Sequence, residues 1–198
     1  MSQVPKVKMK KRIKINGTIM ALAAIAVMFF WKTFLRQNNP VWVENCLKVL
    51  GLLILFLGQF IRVSARGYKA EHSDNSHALI EGGPYGIVRN PMYLGILLIG
   101  LGVVVTLFNW WAIFIFLIVF AARYFPLILS EEEKLRKMFP GTYEAYCARV
   151  PRMIPQLSSL AKKNAKEYLP VKAAWFKKEI NSIIPLLILI LLVFIWRR

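Results

Sequence analysis

Between Met92 and Ala122 the chain carries no charged side chain, and Asn109 is one of very few polar residues in the stretch. A run this apolar cannot stay solvated as a loop. Extended back to Pro91 and on to Leu129, it divides at the Asn109-Trp110 pair into two segments, each within the roughly 17 to 25 residues that a helix needs to cross a hydrocarbon core. Three further apolar segments have similar length: roughly Ile15 to Leu35, roughly Val41 to Val63, and "INSIIPLLILILLVFIW" near the C-terminus. The alternation of a membrane barrel is absent. The expected fold is therefore all-α, a polytopic integral-membrane helical bundle of about five transmembrane helices with polar loops on the cytoplasmic side.

Charge supports that placement. Lys and Arg number 27 against 10 Asp and Glu, giving a formal net charge of +17. The cations flank the apolar runs, as in "KVKMKKRIKI" and "AKKNAKEYLPVKAAWFKK", where they can hold an anionic phospholipid surface. No recognisable nucleic-acid reading module accompanies them, so nucleic acid is not expected as a partner. The N-terminal run reads as an uncleaved signal anchor, since its apolar part is too long for a cleaved peptide. Cys46 and Cys147 lie in dissimilar surroundings and read as free thiols.

The segments pair naturally into hairpins: the first and second spans across "RQNNP", the third and fourth across "NW". Trp110 and Trp111 suit an interfacial aromatic belt. Three regions follow: 1–75, a basic segment and hairpin; 76–155, a polar-apolar region with the candidate chemistry; and 156–198, a basic interfacial segment with a C-terminal apolar helix. Within the last, Leu157, Leu160, Ala161, Ala165 and Tyr168 recur at helical spacing opposite lysines, as expected of a helix lying in the interface or of a solvated linker. Gly100 and Gly102 fall inside an apolar helix, where glycine serves close helix packing.

The stretch "GGPYGIVRNPMYLG", residues 82–95, sets turn residues, a cation and two tyrosines at the mouth of the third span. Asn90 is a fitting N-cap and Pro91 a fitting first helical residue. The helix N-terminus, reinforced by Arg89, favours an anionic ligand group; Arg89 could equally rest on lipid phosphate. Glu131, Glu132 and Glu133 stand where the fourth span leaves the membrane, either as a solvated helix end or facing a cation. Set against the third span's entrance, they would make a site with an anion-binding end, a cation-binding end and tyrosine faces. Such a site suits a zwitterionic ligand bearing a sulfonium or ammonium. His72 and His77, five apart with no cysteine beside them, give no metal site.

The combination H-x-L-I, G-x-Y, R-N-P-x-Y-x-G, E-E and Y-x-x-Y-x-x-x-V-P-R-x-x-P, between about Ser76 and Pro155, resembles the isoprenylcysteine carboxyl methyltransferase family. The resemblance implies a small bundle of transmembrane helices, a cytoplasm-facing S-adenosylmethionine site and a lipid or lipid-modified methyl acceptor. By motif, His77, Ala78, Leu79, Ile80, Tyr85, Arg89, Asn90, Pro91, Met92 and Tyr93 would line the cofactor site. Glu131 falls at the family's substrate-side glutamate, with Glu132 as its companion on the cofactor.

Two positions depart from the family pattern. Asn90 replaces the usual histidine of R-H-P, as in the related phospholipid N-methyltransferases with N-P-M-Y. Leu127 stands where a substrate-side arginine is expected, and Arg123, one turn earlier on the same face, is the candidate substitute. A carboxylate acceptor is already ionised, whereas an amine must shed a proton, for which Glu131 is the candidate. Both acceptors stay open at this point. So do a sterol-reductase-like NADPH enzyme, which shares an R-x-P-x-Y pattern, and a non-catalytic membrane scaffold.

Overall fold

The computed structural model describes residues 39–73, 79–155, 170, 172–177, 184 and 191. The expected first span, the interfacial helix, most of the fifth span, and His77 and Ala78 of the proposed site lie outside the described residues. All the described elements are helical: α1 Val41–His72, a 3-10 turn Gly83–Gly86, α2 Pro91–Leu107, α3 Trp111–Met138 and α4 Thr142–Arg149.

Helix α1 follows Pro40 and runs on to His72 rather than ending near Val63. Its extra turns contain the good helix formers Ala65, Ala70 and Lys69, and Lys69 and His72 in the last turn complement the negative end of the helix dipole. Helix α2 begins, as expected, with Asn90 as N-cap and Pro91 inside. Helix α3 carries the fourth apolar run and continues through the charged "SEEEKLRKM". Pro126 within it has no N–H to donate, so one rung of its backbone ladder is missing. The Pro140-Gly141 break ends the run: Gly141 takes φ 79°, and Glu144 reaches back to accept its N–H at 2.6 Å as α4 starts.

The expected hairpin of the third and fourth spans exists as a chain connection across 108–110. The main packing partner of α2, however, is α1. The reason is glycine complementarity between antiparallel helices. A Cβ on Gly58 would stand 2.8 Å from the Gly95 carbonyl oxygen, and one on Gly95 would stand 2.8 Å from that of Gly58. Seven residues away along each helix, a Cβ on Gly102 would meet the Gly51 carbonyl oxygen at 2.6 Å. Backbones this close gain dispersion over a long seam, which in lipid is the available driving force for helix association. The expected packing role of Gly100 and Gly102 is thus found: Gly102 faces α1, and Gly100 lies under the Phe116 ring of α3.

The outer faces are apolar and exposed. Val49, Leu53 and Phe56 on α1 and Phe114 and Ile118 on α3 are each more than half exposed. Helices α1 and α3 are long and apolar enough to cross a membrane, and α2 is a shorter apolar helix. Exposed apolar faces of this extent, on helices of this length, are what lipid solvates. This is a membrane protein.

At the polar end of the bundle, the 79–90 loop and α4 close against the tips of α1 and α3. Tyr143, Tyr146 and Val150 form a small core with Leu79, Leu135, Phe139 and Cys147 packed around it. Backbone bonds tie the α4 exit to the α2 entrance: Arg89 N–H donates to Pro151 O at 2.8 Å and Asn90 N–H to Arg152 O at 3.2 Å. On α1, residues 172–177 dock apart from that core. Trp175 covers Gly67 and donates to Glu71 at 2.9 Å, and Lys172 pairs with the same carboxylate at 2.6 Å.

Candidate functional site

Three helix ends and one loop surround a cleft of about 320 Å³. Lys69 and Ser73 come from the last turns of α1, Leu135, Met138 and Phe139 from the end of α3, and Tyr143 and Tyr146 from α4. The loop contributes Leu79, Ile80, Tyr85, Arg89 and Asn90, five of the residues that the motif comparison assigns to the cofactor. The loop holds its shape through two tyrosines. Tyr146 Oη donates to the Tyr85 carbonyl at 2.6 Å, and Tyr85 Oη donates to the Ala65 carbonyl at 3.4 Å. Burial, and then the negative charge of Glu131, hold the Tyr85 hydroxyl above the ordinary phenol range, so it stays a donor. Burial likewise raises Tyr146.

Two neighbouring carboxylates on α3 have different surroundings. Glu132 is 4% exposed and enclosed by donors. Arg152 Nε lies 3.1 Å from each of its oxygens and Nη2 lies 2.9 Å from Oε2. Asn90 Nδ2 donates to Oε1 at 3.0 Å, and Arg89 Nη1 stands 3.8 Å from Oε2. The pairing holds the Arg152 guanidinium above its ordinary value. Glu132 therefore fastens α3 to the α2 entrance and the α4 exit. The Asn90 side chain corrects the expectation of a helix cap: it makes no capping bond, and its amide bonds Glu132 and the Arg152 carbonyl instead. A buried carboxylate is a strong acceptor for the Nδ2 donors, and the Oδ1 that a cap would use makes no bond to the helix N–H groups.

Glu131 is exposed and accepts the Tyr93 hydroxyl at 2.8 Å. The Tyr93 ring lies 5.7 Å from that of Tyr124, over which the Arg123 guanidinium sits at 5.6 Å. The structure thus gathers Tyr93, Glu131 and Arg123 into one lateral patch on α2 and α3, linked by Tyr124. Leu127, midway between Arg123 and Glu131, leaves a gap in the polar face. Pro91, Tyr93, Met92, Glu131 and Glu132 do not line the cleft; Asn90 does, and through Glu132 joins the cleft to α3. Three residues that the sequence reading passed over matter here. Tyr143, Tyr146 and Arg152 all stood in the quoted Y-x-x-Y-x-x-x-V-P-R pattern. Lys69 and Tyr124 carry no motif, and only the fold reveals them.

Two buried polar atoms beside the cleft are unsatisfied among the described residues: Arg89 Nε and Tyr143 Oη, the latter next to the Cys147 thiol but without a hydrogen bond of ordinary geometry. Arg89 Nη1 contacts the Cys147 sulfur. Both cysteines are free, as expected. Among the described residues no cluster of three metal-ligating side chains occurs. The site thus offers two cations and several aromatic faces in the cleft, and a carboxylate-tyrosine pair beside it at the membrane helices.

Known proteins bear on these features. Residues 46–142 match the phospholipid methyltransferase family. A protein-S-isoprenylcysteine O-methyltransferase of Schizosaccharomyces pombe is 31% identical over 135 residues, covering 57% of this chain and 57% of that protein. A protein-S-isoprenylcysteine O-methyltransferase B of Arabidopsis thaliana is 30% identical over 122 residues, 58% of this chain and 60% of the relative. The nickel-cobalt-cadmium resistance protein NccN of Alcaligenes xylosoxydans xylosoxydans is 27% identical over 151 residues, 75% of this chain and 67% of that protein. The chain spans less than two thirds of the length of the two methyltransferases. No solved structure matches. Residues 46–142, just under half of the chain, are thus similar to the phospholipid methyltransferase family, and isoprenylcysteine O-methyltransferases are among the proteins the chain resembles.

Proposed function

We propose that this protein is an integral-membrane methyltransferase that takes the methyl group of S-adenosylmethionine from the cytoplasmic side and gives it to a lipid or lipid-modified acceptor drawn from the bilayer. The observation that carries the reading is the adjacency of a cation- and aromatic-lined cleft to the Tyr93–Glu131 pair on apolar helices. About five spans, with the cleft facing the cytoplasm, complete the proposed topology.

The residues present fit the cofactor. Lys69 and Arg89 suit its carboxylate, the faces of Tyr85, Tyr146 and Phe139 suit its adenine and sulfonium, and Tyr143 Oη is an unused buried donor or acceptor beside the cleft. When bound, S-adenosylmethionine supplies an electrophilic methyl carbon on sulfur. The chain's residues supply position and electrostatics. Asn90, held by Glu132, fixes the inner edge of the cleft. Tyr93 orients Glu131, and Glu131 receives the proton that an amine acceptor must lose; a carboxylate acceptor needs no such step. Arg123 and Tyr124 flank the acceptor's approach from lipid.

The test is equilibrium binding of S-adenosylmethionine and, side by side, NADPH to the detergent-purified protein, followed by methyl transfer to membrane-lipid and prenylcysteine acceptors. Saturable S-adenosylmethionine binding, with turnover lost in Tyr93→Ala and Glu131→Ala, is expected. Binding of NADPH alone would replace the reading with a reductase, and binding of neither would leave a scaffold.

A further inference from the structure

The charges around the cleft are unevenly placed. Its lining includes two cations, Lys69 and Arg89, and no carboxylate. The carboxylates of the region stand to one side, on α3. Glu132 is fully engaged by Arg152 and Asn90, and Glu131 accepts from Tyr93. A ligand lying in the cleft therefore meets cations in the lining itself, with the carboxylates outside it on α3.

The two cations are not equivalent. Arg89 is held from several directions: its Nη1 contacts Cys147 and approaches Glu132, and its backbone N–H is given to Pro151. Lys69 is exposed at the cleft rim, and among the described residues no carboxylate or carbonyl is recorded as its partner. Glu71, two residues on, is taken by Lys172 and Trp175. Two residues on a helix are about 200° apart, so Glu71 faces away from the cleft and does not neutralise Lys69.

We infer that Lys69, together with Arg89 of the same lining, anchors the carboxylate of the methionyl end of S-adenosylmethionine, and so sets the direction in which that ligand lies. With the carboxylate held at Lys69, the sulfonium end would be left to the aromatic part of the lining, including Tyr85, Phe139 and Tyr146. The reverse orientation would set the sulfonium against two cations. The inference rests on the methyltransferase reading and adds a residue from outside the motif region, on a helix that carries no other part of the site's signature.

Paired ligands test it. Affinities of S-adenosylmethionine and of its decarboxylated analogue are measured by calorimetry on the full chain in detergent, for the unaltered protein, Lys69→Met and Lys69→Arg. Lys69→Met is expected to weaken S-adenosylmethionine by about fivefold, the scale of a solvent-accessible ion pair, with the decarboxylated ligand changed less than about twofold. Lys69→Arg is expected to restore most of the loss. Unchanged affinity for both ligands, or equal loss of both, would overturn the assignment while leaving S-adenosylmethionine binding intact. If the unaltered protein bound neither ligand, the methyltransferase reading itself would fail and this inference with it.

Discussion

Arg152 grips both carboxylate oxygens of Glu132, with Nε at 3.1 Å from each and Nη2 at 2.9 Å from one. The pair joins the segment after α4 to the part of α3 just past its most apolar stretch, and Asn90 completes the clasp. Removing the carboxylate strands two guanidinium groups and an amide together. Glu132→Ala is expected to destabilise the protein by about 3 kcal/mol, and Glu132→Gln by less, since the amide oxygen still accepts. Thermal unfolding in detergent reads this directly. A change in ligand affinity without any fall in stability would show that Glu132 contacts the ligand rather than holding the site together.

The α1–α2 seam depends on which atoms a new methyl group meets. At Gly102 those are the Gly51 carbonyl and the Leu55 backbone and Cβ, whereas at Gly100 they are the tip of the Phe116 ring. Gly102→Ala is expected to cost about 2 kcal/mol or more, because two helix backbones must separate, and Gly100→Ala no more than about 1 kcal/mol. Unfolding midpoints of the two variants, measured in the same detergent, should differ in that order.

Tyr93→Phe keeps the ring against Tyr124 and deletes the hydroxyl given to Glu131. Turnover is expected to fall about tenfold, the equivalent of one net hydrogen bond, while the unfolding midpoint barely moves. Methyl transfer from labelled S-adenosylmethionine measures the first and scanning fluorimetry the second.

Leu127 occupies the α3 position one turn before Glu131, and Arg123 lies one turn before that. An arginine there would pair with Glu131 and supply a cation for a carboxylate acceptor. Leu127→Arg is expected to raise methylation of prenylcysteine acceptors and lower that of amine acceptors. Equal rates before and after would place the acceptor away from this turn of α3.

Gly67 lies beneath Trp175, where an added Cβ would fall 2.1 Å from the indole ring. Gly67→Leu is expected to displace the ring, break its bond to Glu71 and loosen the backbone around the already exposed Lys172, which trypsin then cuts faster. Faster cleavage there, with an unchanged pattern in residues 79–155, would show that residues 172–177 dock as a separate element.

Apolar length and proline-glycine punctuation determined the helices. The third span's start at Asn90-Pro91 and the break at Pro140-Gly141 follow from backbone chemistry that acts within a few residues, and so are readable along the chain. The same holds for the residues that resemble methyltransferase motifs, since spacing in sequence records them. Which helices pack closely was not readable, because Gly51, Gly58, Gly95 and Gly102 acquire meaning only when two backbones lie antiparallel in register. The division of labour between Glu131 and Glu132 was hidden for the same reason. Adjacent side chains on a helix point about 100° apart, and only the folded position of Arg152, Asn90 and Tyr93 decides which carboxylate is enclosed and which stays available. Lys69 became part of the site because α1 runs beyond the apolar stretch and brings its last turns against a loop ten to twenty residues away. Local chemistry wrote the elements; the site's charge pattern came from long-range contacts between them.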